Sequence, residues 1–152
     1  MRYALIYGGI AGLIIIGLTW IILLSGWLGH LESVIMGYLI MVAGLTMIFV
    51  GVKRYRDVEM GGVIRFGRAL ILAVGIALVA SLIYVLGAEL YFATPSGWQM
   101  VEMIDQTMMP GYRNPIYRMY FTFLEILPAD VVVALVSAAV LRNPRVLPAR
   151  AT

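Results

Sequence analysis

The chain has 152 residues, of which 62% are hydrophobic and 12% are charged, and its formal net charge is +3. Soluble domains average about 25% charged residues, so this composition is typical of an integral membrane protein. The chain contains no cysteine and a single histidine, which excludes disulfides, thiolate metal sites, thiol catalysis and cysteine-linked lipid anchors. We therefore predict no cofactor and no metal, and expect one integral membrane domain over residues 1–152.

Four apolar segments predict transmembrane helices over about residues 3–24, 34–52, 69–92 and 115–141. At a rise of 1.5 Å per residue, each segment spans about 30 Å, the thickness of a hydrocarbon core. The first segment is longer than the apolar region of a signal peptide, about 7–15 residues, and no cleavage signal follows it, so we interpret it as a retained helix. The predicted fold class is all-α, a four-transmembrane-helix bundle.

The segment TPSGWQMVEMIDQTMMPGYRNP, between the third and fourth spans, is predicted to hold a short amphipathic helix at the membrane interface. At helical spacing, one face is apolar and the other is polar: Trp98, Val101, Ile104 and Met108 against Gln99, Glu102, Asp105 and Gln106. The fourth span is predicted to begin at Asn114-Pro115, because asparagine caps a helix and proline at the first helical position loses no hydrogen bond.

Basic residues are concentrated on one side of the predicted spans: Arg2, Lys53, Arg54, Arg56, Arg65, Arg68, Arg142, Arg145 and Arg150. The other side has Arg113 and Arg118. The positive-inside rule therefore predicts that both termini are cytoplasmic. We interpret the net positive charge as a topology signal, with membrane lipids as partners and no nucleic acid. The candidate contacts to lipid headgroups are Lys53, Arg54, Arg56, Arg65 and Arg68, and Asp57 is expected to pair with a neighbouring arginine.

Small residues recur at spacings that favour close helix packing: Gly8 and Gly12; Gly37, Gly44 and Gly51; Ala73, Ala77 and Ser81; Ala134 and Ala138. We expect these residues to pack helices within the chain. Dimerisation through Gly8 and Gly12 is the alternative, so a homo-oligomer is a further hypothesis.

The stretch TFLEILPADVV places Glu125, Pro128 and Asp130 inside the fourth predicted span. A carboxylate at the centre of a bilayer costs about 2.5–3.5 kcal/mol, so both acids are expected to face the protein interior. Pro128 predicts a kink, since it cannot donate a hydrogen bond to Leu124. The alternative is a fresh helix start, at which Asp130 would satisfy the exposed N–H groups.

A candidate intramembrane polar site follows from the same stretch. Arg118, Thr122 and Glu125 fall on one stripe of the fourth helix, and Glu89 lies at a comparable depth near the outer end of the third. We predict that these four residues converge, with Asp130 deeper. Two interpretations stay open: a structural pairing, for example of Glu125 with Arg118, and a site for a ligand, an ion or a proton.

The motifs GVKRYRD, GGVIRFGRA, NPIYR and TFLEILP resemble the domain-of-unknown-function family 4199, whose members look like small four-helix bacterial membrane proteins. The resemblance runs from Tyr7 to Arg142 and implies a bacterial inner-membrane protein with no assigned activity. Two features depart from the family pattern: the outer loop is shorter, and Asp130 stands where small or apolar residues are usual. The residues that match motif positions are Arg56, Asp57, Glu89, Asn114, Pro115, Arg118, Glu125 and Pro128.

The sequence supports two functional hypotheses. The first is a non-enzymatic structural or accessory membrane protein. The second is a small oligomeric transporter or channel that uses Glu89, Glu125 and Asp130 for a cation or a proton. An enzyme is not expected, because the sequence suggests neither a nucleophile–base pair nor a metal triad.

Overall fold

The computed structural model describes residues 1–25 and 30–148, with the side chains of residues 30–34 excepted. Arg150, counted above among the basic residues, lies outside this range. The described residues form five helices and no strand: α1 (Arg2–Ser25), α2 (His30–Glu59), α3 (Phe66–Phe92), α4 (Pro95–Thr107) and α5 (Pro115–Leu141). Four of them, α1, α2 from Ile35 onward, α3 and α5, are long and apolar enough to cross a membrane.

The second helix is longer than expected at its basic end. The sequence predicted an end near residue 52, but α2 continues to Glu59, because no glycine or proline interrupts KRYRDVE. The helix stops before Gly61 and Gly62, whose φ angles of 64° and 89° lie in the left-handed region that glycine adopts at no steric cost. The basic motif is therefore helical, and its side chains follow helical periodicity.

The predicted start of α5 is confirmed by its capping contact, and α4 begins with a similar one. The Thr94 hydroxyl accepts a hydrogen bond from the Gly97 N–H at 3.2 Å at the start of α4. Asn114 Oδ1 accepts from the Ile116 N–H at 3.0 Å, and α5 begins at Pro115. On α4, Val101 is buried but Trp98 is 43% exposed, so the chain itself covers only part of the apolar face. Placement of α4 at a membrane interface stays a prediction.

Pro128 does not divide α5, which is one α-helix from Pro115 to Leu141. The fresh helix start considered from the sequence is therefore wrong. Pro128 has no N–H to donate to the Leu124 carbonyl, so α5 lacks that one hydrogen bond but continues on both sides of the position. Asp130 consequently lies in the middle of a helix and does not cap one.

α3 is the central helix of the described structure, since it packs against α1, α2, α4 and α5. α2 packs against α1, α3 and α5, whereas α1 and α5 lie on opposite sides of the α2–α3 pair and do not touch over the described residues. The fully buried core lies between these helices and includes Ile15, Leu45, Ile48, Ile76 and Ile126.

The glycines of α1 bring it against α3 within the same chain. A Cβ atom added to Gly8 would lie 2.6 Å from the Ile76 carbonyl oxygen and 2.6 Å from Val79 Cβ. One added to Gly12 would lie 2.7 Å from Ile83 Cβ. Both distances are too short for real contacts, so α3 occupies the surface that dimerisation through Gly8 and Gly12 would require.

Replacement of Gly8 by alanine is expected to destabilise the protein. The added methyl group meets a backbone carbonyl of α3, so the two helices must move apart, at a cost of about 1–3 kcal/mol in the free energy of unfolding. Thermal unfolding in detergent measures the effect. Gly9→Ala is the matched control, because a Cβ at Gly9 has no atom within 4 Å; equal effects of the two substitutions would contradict this account.

Candidate functional site

Polar side chains line the seam between α3 and α5. Arg118, Thr122 and Asp130 on α5 are buried, although each is polar, and so is Ser81 on α3. Positions 118, 122, 126 and 130 share one face because they are spaced four residues apart on a helix. The small residues of α3 allow α5 to lie close, since Ala77 is also buried on that side. The seam is therefore narrow, and its polar groups must find partners in the protein.

Arg118 and Glu89 form a doubly hydrogen-bonded ion pair between α5 and α3. Arg118 Nε donates to Glu89 Oε1 at 2.8 Å, and Nη2 donates to Oε2 at 2.5 Å. Nη1 donates to the Tyr112 carbonyl oxygen at 3.3 Å, and the guanidinium carbon lies 5.2 Å from the centre of the Phe92 ring. This planar, forked geometry is the strongest form of a carboxylate contact. Arg118 is thus paired with Glu89, not with Glu125.

Tyr112, in the link between α4 and α5, covers the ion pair. Its side chain is buried and packs edge-on against Phe92, with ring centres 6.2 Å apart. Burial raises the pKa of the Tyr112 hydroxyl. Thr122 is buried one helical turn from Arg118 on the same face of α5. Tyr112 and Phe92 were missed because an aromatic residue near a helix end carries no distinctive sequence signal.

Glu125 stands apart from these residues. It is exposed on the surface of the single chain, and it makes no hydrogen bond or ion pair with the residues that the structure describes. The predicted convergence is therefore incomplete: Glu89 and Arg118 meet, Thr122 is buried one helical turn from Arg118, and Glu125 has no hydrogen-bond or ion-pair partner among the described residues.

Asp130 is buried, at 7% exposure, and contacts α3. Its Oδ2 atom is hydrogen-bonded to the Ser81 hydroxyl, which also lies 2.9 Å from the Ala77 carbonyl oxygen. Its other oxygen, Oδ1, has no hydrogen-bond partner among the described residues. No group of three or more His, Asp or Glu side chains that could hold a metal ion occurs in the described part of the chain.

At the basic end of the molecule, one of the predicted headgroup contacts, Arg56, is wrong. Arg54, Arg65 and Arg68 are exposed, as expected, and Lys53 is partly exposed. Arg56, however, is fully buried, at 0% exposure. The reason is the extension of α2, which places Arg56 one helical turn beyond Val52 on the buried face.

Arg56 holds the segment that follows α5. Its Nη1 atom donates to the Val146 carbonyl oxygen at 3.1 Å, and Nη2 donates to that of Leu147 at 2.5 Å. Its Nε atom donates to Asp57 Oδ1 at 2.7 Å, which confirms the predicted pairing of Asp57. Lys53 Nζ donates to Asp57 Oδ2 at 2.6 Å, so this acid is shared by two cations. Arg56 therefore holds the segment after α5 against α2 and is not exposed for contact with lipid headgroups.

A family model described as "Protein of unknown function (DUF4199)" matches residues 6–143. The match includes the polar seam, α4 and the basic motif of α2. Comparison with curated proteins and with solved structures gave no match.

Arg56→Gln is expected to lower the free energy of unfolding by about 3–5 kcal/mol, because it removes one partner of a buried, hydrogen-bonded charge and leaves backbone carbonyls unpaired. Arg54→Gln is the control, since Arg54 is exposed on the same helix. Thermal unfolding in detergent compares the two variants, and limited proteolysis reports release of the segment after Leu141. A stable Arg56→Gln protein with a protected C-terminal segment would contradict the assignment.

Glu89→Gln is expected to destabilise the protein by about 3 kcal/mol, since it leaves the buried guanidinium of Arg118 without a counter-charge. Glu125→Gln removes a carboxylate that has no partner in the described structure, so its stability should equal or exceed that of the unaltered protein. Chemical or thermal unfolding in the same detergent measures both. A larger loss for Glu125→Gln would mean that Glu125, and not Glu89, is the structural acid.

Proposed function

The chain belongs to the protein family of unknown function DUF4199, and on that premise we propose that it is a multi-pass integral membrane protein with a structural or accessory role and no enzymatic activity. In this proposal the four long helices form a transmembrane bundle and α4 lies at the membrane interface. Large apolar side chains on the outer faces, such as Leu13, Ile71 and Val132, are more than half exposed, as lipid-facing side chains would be.

We place the protein in a bacterial inner membrane with both termini in the cytoplasm. The exposed arginines support this orientation, because Arg54, Arg65 and Arg68 lie at the end of the molecule that also holds Arg2 and Arg142. At the opposite end Arg118 is paired with Glu89, and Arg113 lies 3.7 Å from Glu102. The uncompensated positive charge is thus concentrated at one end.

The observation that carries the structural role is the Glu89–Arg118 pair. Charged groups in hydrocarbon are expensive and usually mark function. Here the two charges are paired through two hydrogen bonds, and the side chains are 6% exposed for Arg118 and 15% exposed for Glu89. A substrate path through this part of the seam would have to break the pair. The geometry therefore favours a role in fastening α3 to α5.

A second candidate, a small oligomeric transporter or channel for a cation or a proton, is supported by Asp130. The Ser81 hydroxyl has one proton but contacts two acceptors, Asp130 and Ala77. A neutral Asp130 would donate to Ser81, and Ser81 would then donate to the Ala77 carbonyl. A buried carboxyl with a single partner can exchange a proton with little rearrangement. A groove of about 180 Å³ between α3 and α5 reaches Asp130, so a second copy would be needed to enclose a path.

Reconstitution into liposomes separates the two candidates. For the structural role we expect no proton or monovalent-cation flux when a pH-sensitive dye is enclosed and a gradient is imposed, and no lipid turnover by the purified protein. For a transporter, the flux would be present and would be lost in Asp130→Asn or Glu125→Gln.

The control for this experiment is Glu102→Gln, which alters a partly exposed acid on α4. A flux that survives Glu102→Gln but not Asp130→Asn, in proteins of equal stability, would overturn the structural proposal. Hydrolysis of phospholipid by the purified chain would overturn the non-enzymatic part of the proposal.

A further inference from the structure

Two apolar grooves follow the seam between α1 and α3, one toward each end of the helices. The first, of about 530 Å³, is lined by Tyr3, Ala4, Tyr55, Ile71, Gly75 and Val79 among others, and we call it the basic-end groove. The second, of about 390 Å³, is lined by residues that include Leu13, Gly17, Trp20 and Leu86, and we call it the far-end groove. Both are open at the surface that the proposed membrane would cover.

Arg68 lies at the mouth of the basic-end groove. On α3, Arg68, Leu72, Gly75 and Val79 follow one another at helical spacing, and the last three line the groove. Side chains on a helix lean toward its N-terminal end, so the Arg68 guanidinium lies beyond the apolar lining, on the side of the basic end of the molecule. Arg68 is exposed, and its recorded side-chain contact is with Met60 Sδ at 3.3 Å. The mouth therefore has a cation without an acidic partner among the described residues.

The opposite wall of the mouth is aromatic and also basic. Tyr3 and Tyr55 pack edge to face with ring centres 5.3 Å apart. The Tyr3 hydroxyl donates to Glu59 Oε1 at 3.0 Å. Glu59 is the acid at this wall, and two exposed arginines, Arg54 and Arg68, lie at the same end of the molecule. The local charge at the mouth is positive.

The far-end groove has similar walls but a different electrostatic setting. No lysine or arginine lines either groove. The difference is that Arg68 lies one helical turn before Leu72 of the basic-end groove. The arginines toward that end are engaged elsewhere, Arg118 with Glu89 and Arg113 with Asp105 at 3.4 Å. The two grooves therefore differ mainly in the charge at their mouths.

We infer that the basic-end groove binds one anionic phospholipid, with an acyl chain along Gly75 and the phosphate between Arg68 and Arg54. The apolar walls suit a hydrocarbon chain. Arginine is the side chain best suited to phosphate, and basic pockets on the cytoplasmic side of membrane proteins bind anionic headgroups. A zwitterionic lipid would fill the groove but bring its own cation toward the arginines. This site requires the membrane placement proposed above, but neither the structural role nor transport.

The test titrates the purified full-length chain in detergent with dioleoyl phosphatidylglycerol or dioleoyl phosphatidylcholine and counts bound lipid by native mass spectrometry. We expect phosphatidylglycerol to bind the more tightly. Arg68→Gln should weaken its binding about fivefold and leave phosphatidylcholine unchanged, because one basic residue near the headgroup is lost. Gly75→Leu should weaken both lipids, since its side chain fills the groove.

The matched control is Gly17→Leu, which fills the far-end groove. A Cβ at Gly75 lies 3.5 Å from Ala4 Cβ, an ordinary contact, and one at Gly17 has no atom within 4 Å, so both variants should fold. Gly17→Leu should leave the affinity for phosphatidylglycerol unchanged. Equal binding of the two lipids, an unchanged affinity in Arg68→Gln, or equal losses in Gly17→Leu and Gly75→Leu would each overturn the inference. A flux or a lipid hydrolysis activity would overturn the proposed function but leave this site intact.

Discussion

The packing of α5 against α3 depends on the pairing of Arg118 with Glu89. A guanidinium buried among apolar helices has no water to solvate it, so it must find a counter-charge within the protein. Glu89 supplies that charge from α3, Tyr112 adds a carbonyl from the link after α4, and Phe92 offers its ring face. Glu89 and Phe92 belong to α3, and Tyr112 belongs to the link that precedes α5. The pair therefore joins α5 and that link to α3.

A second fastening stands at the other end of the molecule. Arg56 is buried and donates to the Val146 carbonyl after α5, while Asp57 accepts from both Arg56 and Lys53. These contacts join the end of α2 to the end of α5. Between the two fastenings, small residues such as Gly8 and Gly12 let the helices approach without polar contacts. Polar contacts thus join the helices at both ends, and between them the close apolar packing includes one buried polar contact, from Ser81 to Asp130.

Some acids take part in these polar contacts and others do not, and only the latter are candidates for a role beyond structure. Glu89 is satisfied, so its presence in the seam has a structural explanation. Asp130 has one partner and Glu125 has none among the described residues. A hydrophobic setting tolerates such carboxyls more readily when they are neutral. In the second candidate function, proton or cation exchange would therefore concern Asp130 and Glu125 first. At the basic end, by contrast, the free charges are arginines beside an apolar groove, and these suit an anionic lipid.

The sequence by itself determined what depends on neighbours along the chain. The four apolar segments, the helix start at Asn114-Pro115 and the uneven distribution of arginines are local properties, and each could be predicted from residues a few positions apart. The extent of α2 was underestimated, because apolar composition ends near residue 52 while helical propensity continues to Glu59. Apolar composition shows which residues lie in hydrocarbon, whereas the length of the helix also depends on the position of the glycines that end it.

Only the tertiary structure decided which polar groups meet. Arg118 reaches Glu89 across 29 positions of sequence, and Arg56 reaches Val146 across 90. Helical spacing showed that Arg118, Thr122 and Glu125 share a stripe, but a stripe is broad, and the rotation of α5 against α3 places Glu125 at its open edge. The same rotation brings Asp130 to Ser81. These outcomes depend on which helix faces pack together, and that depends on contacts summed over the whole chain.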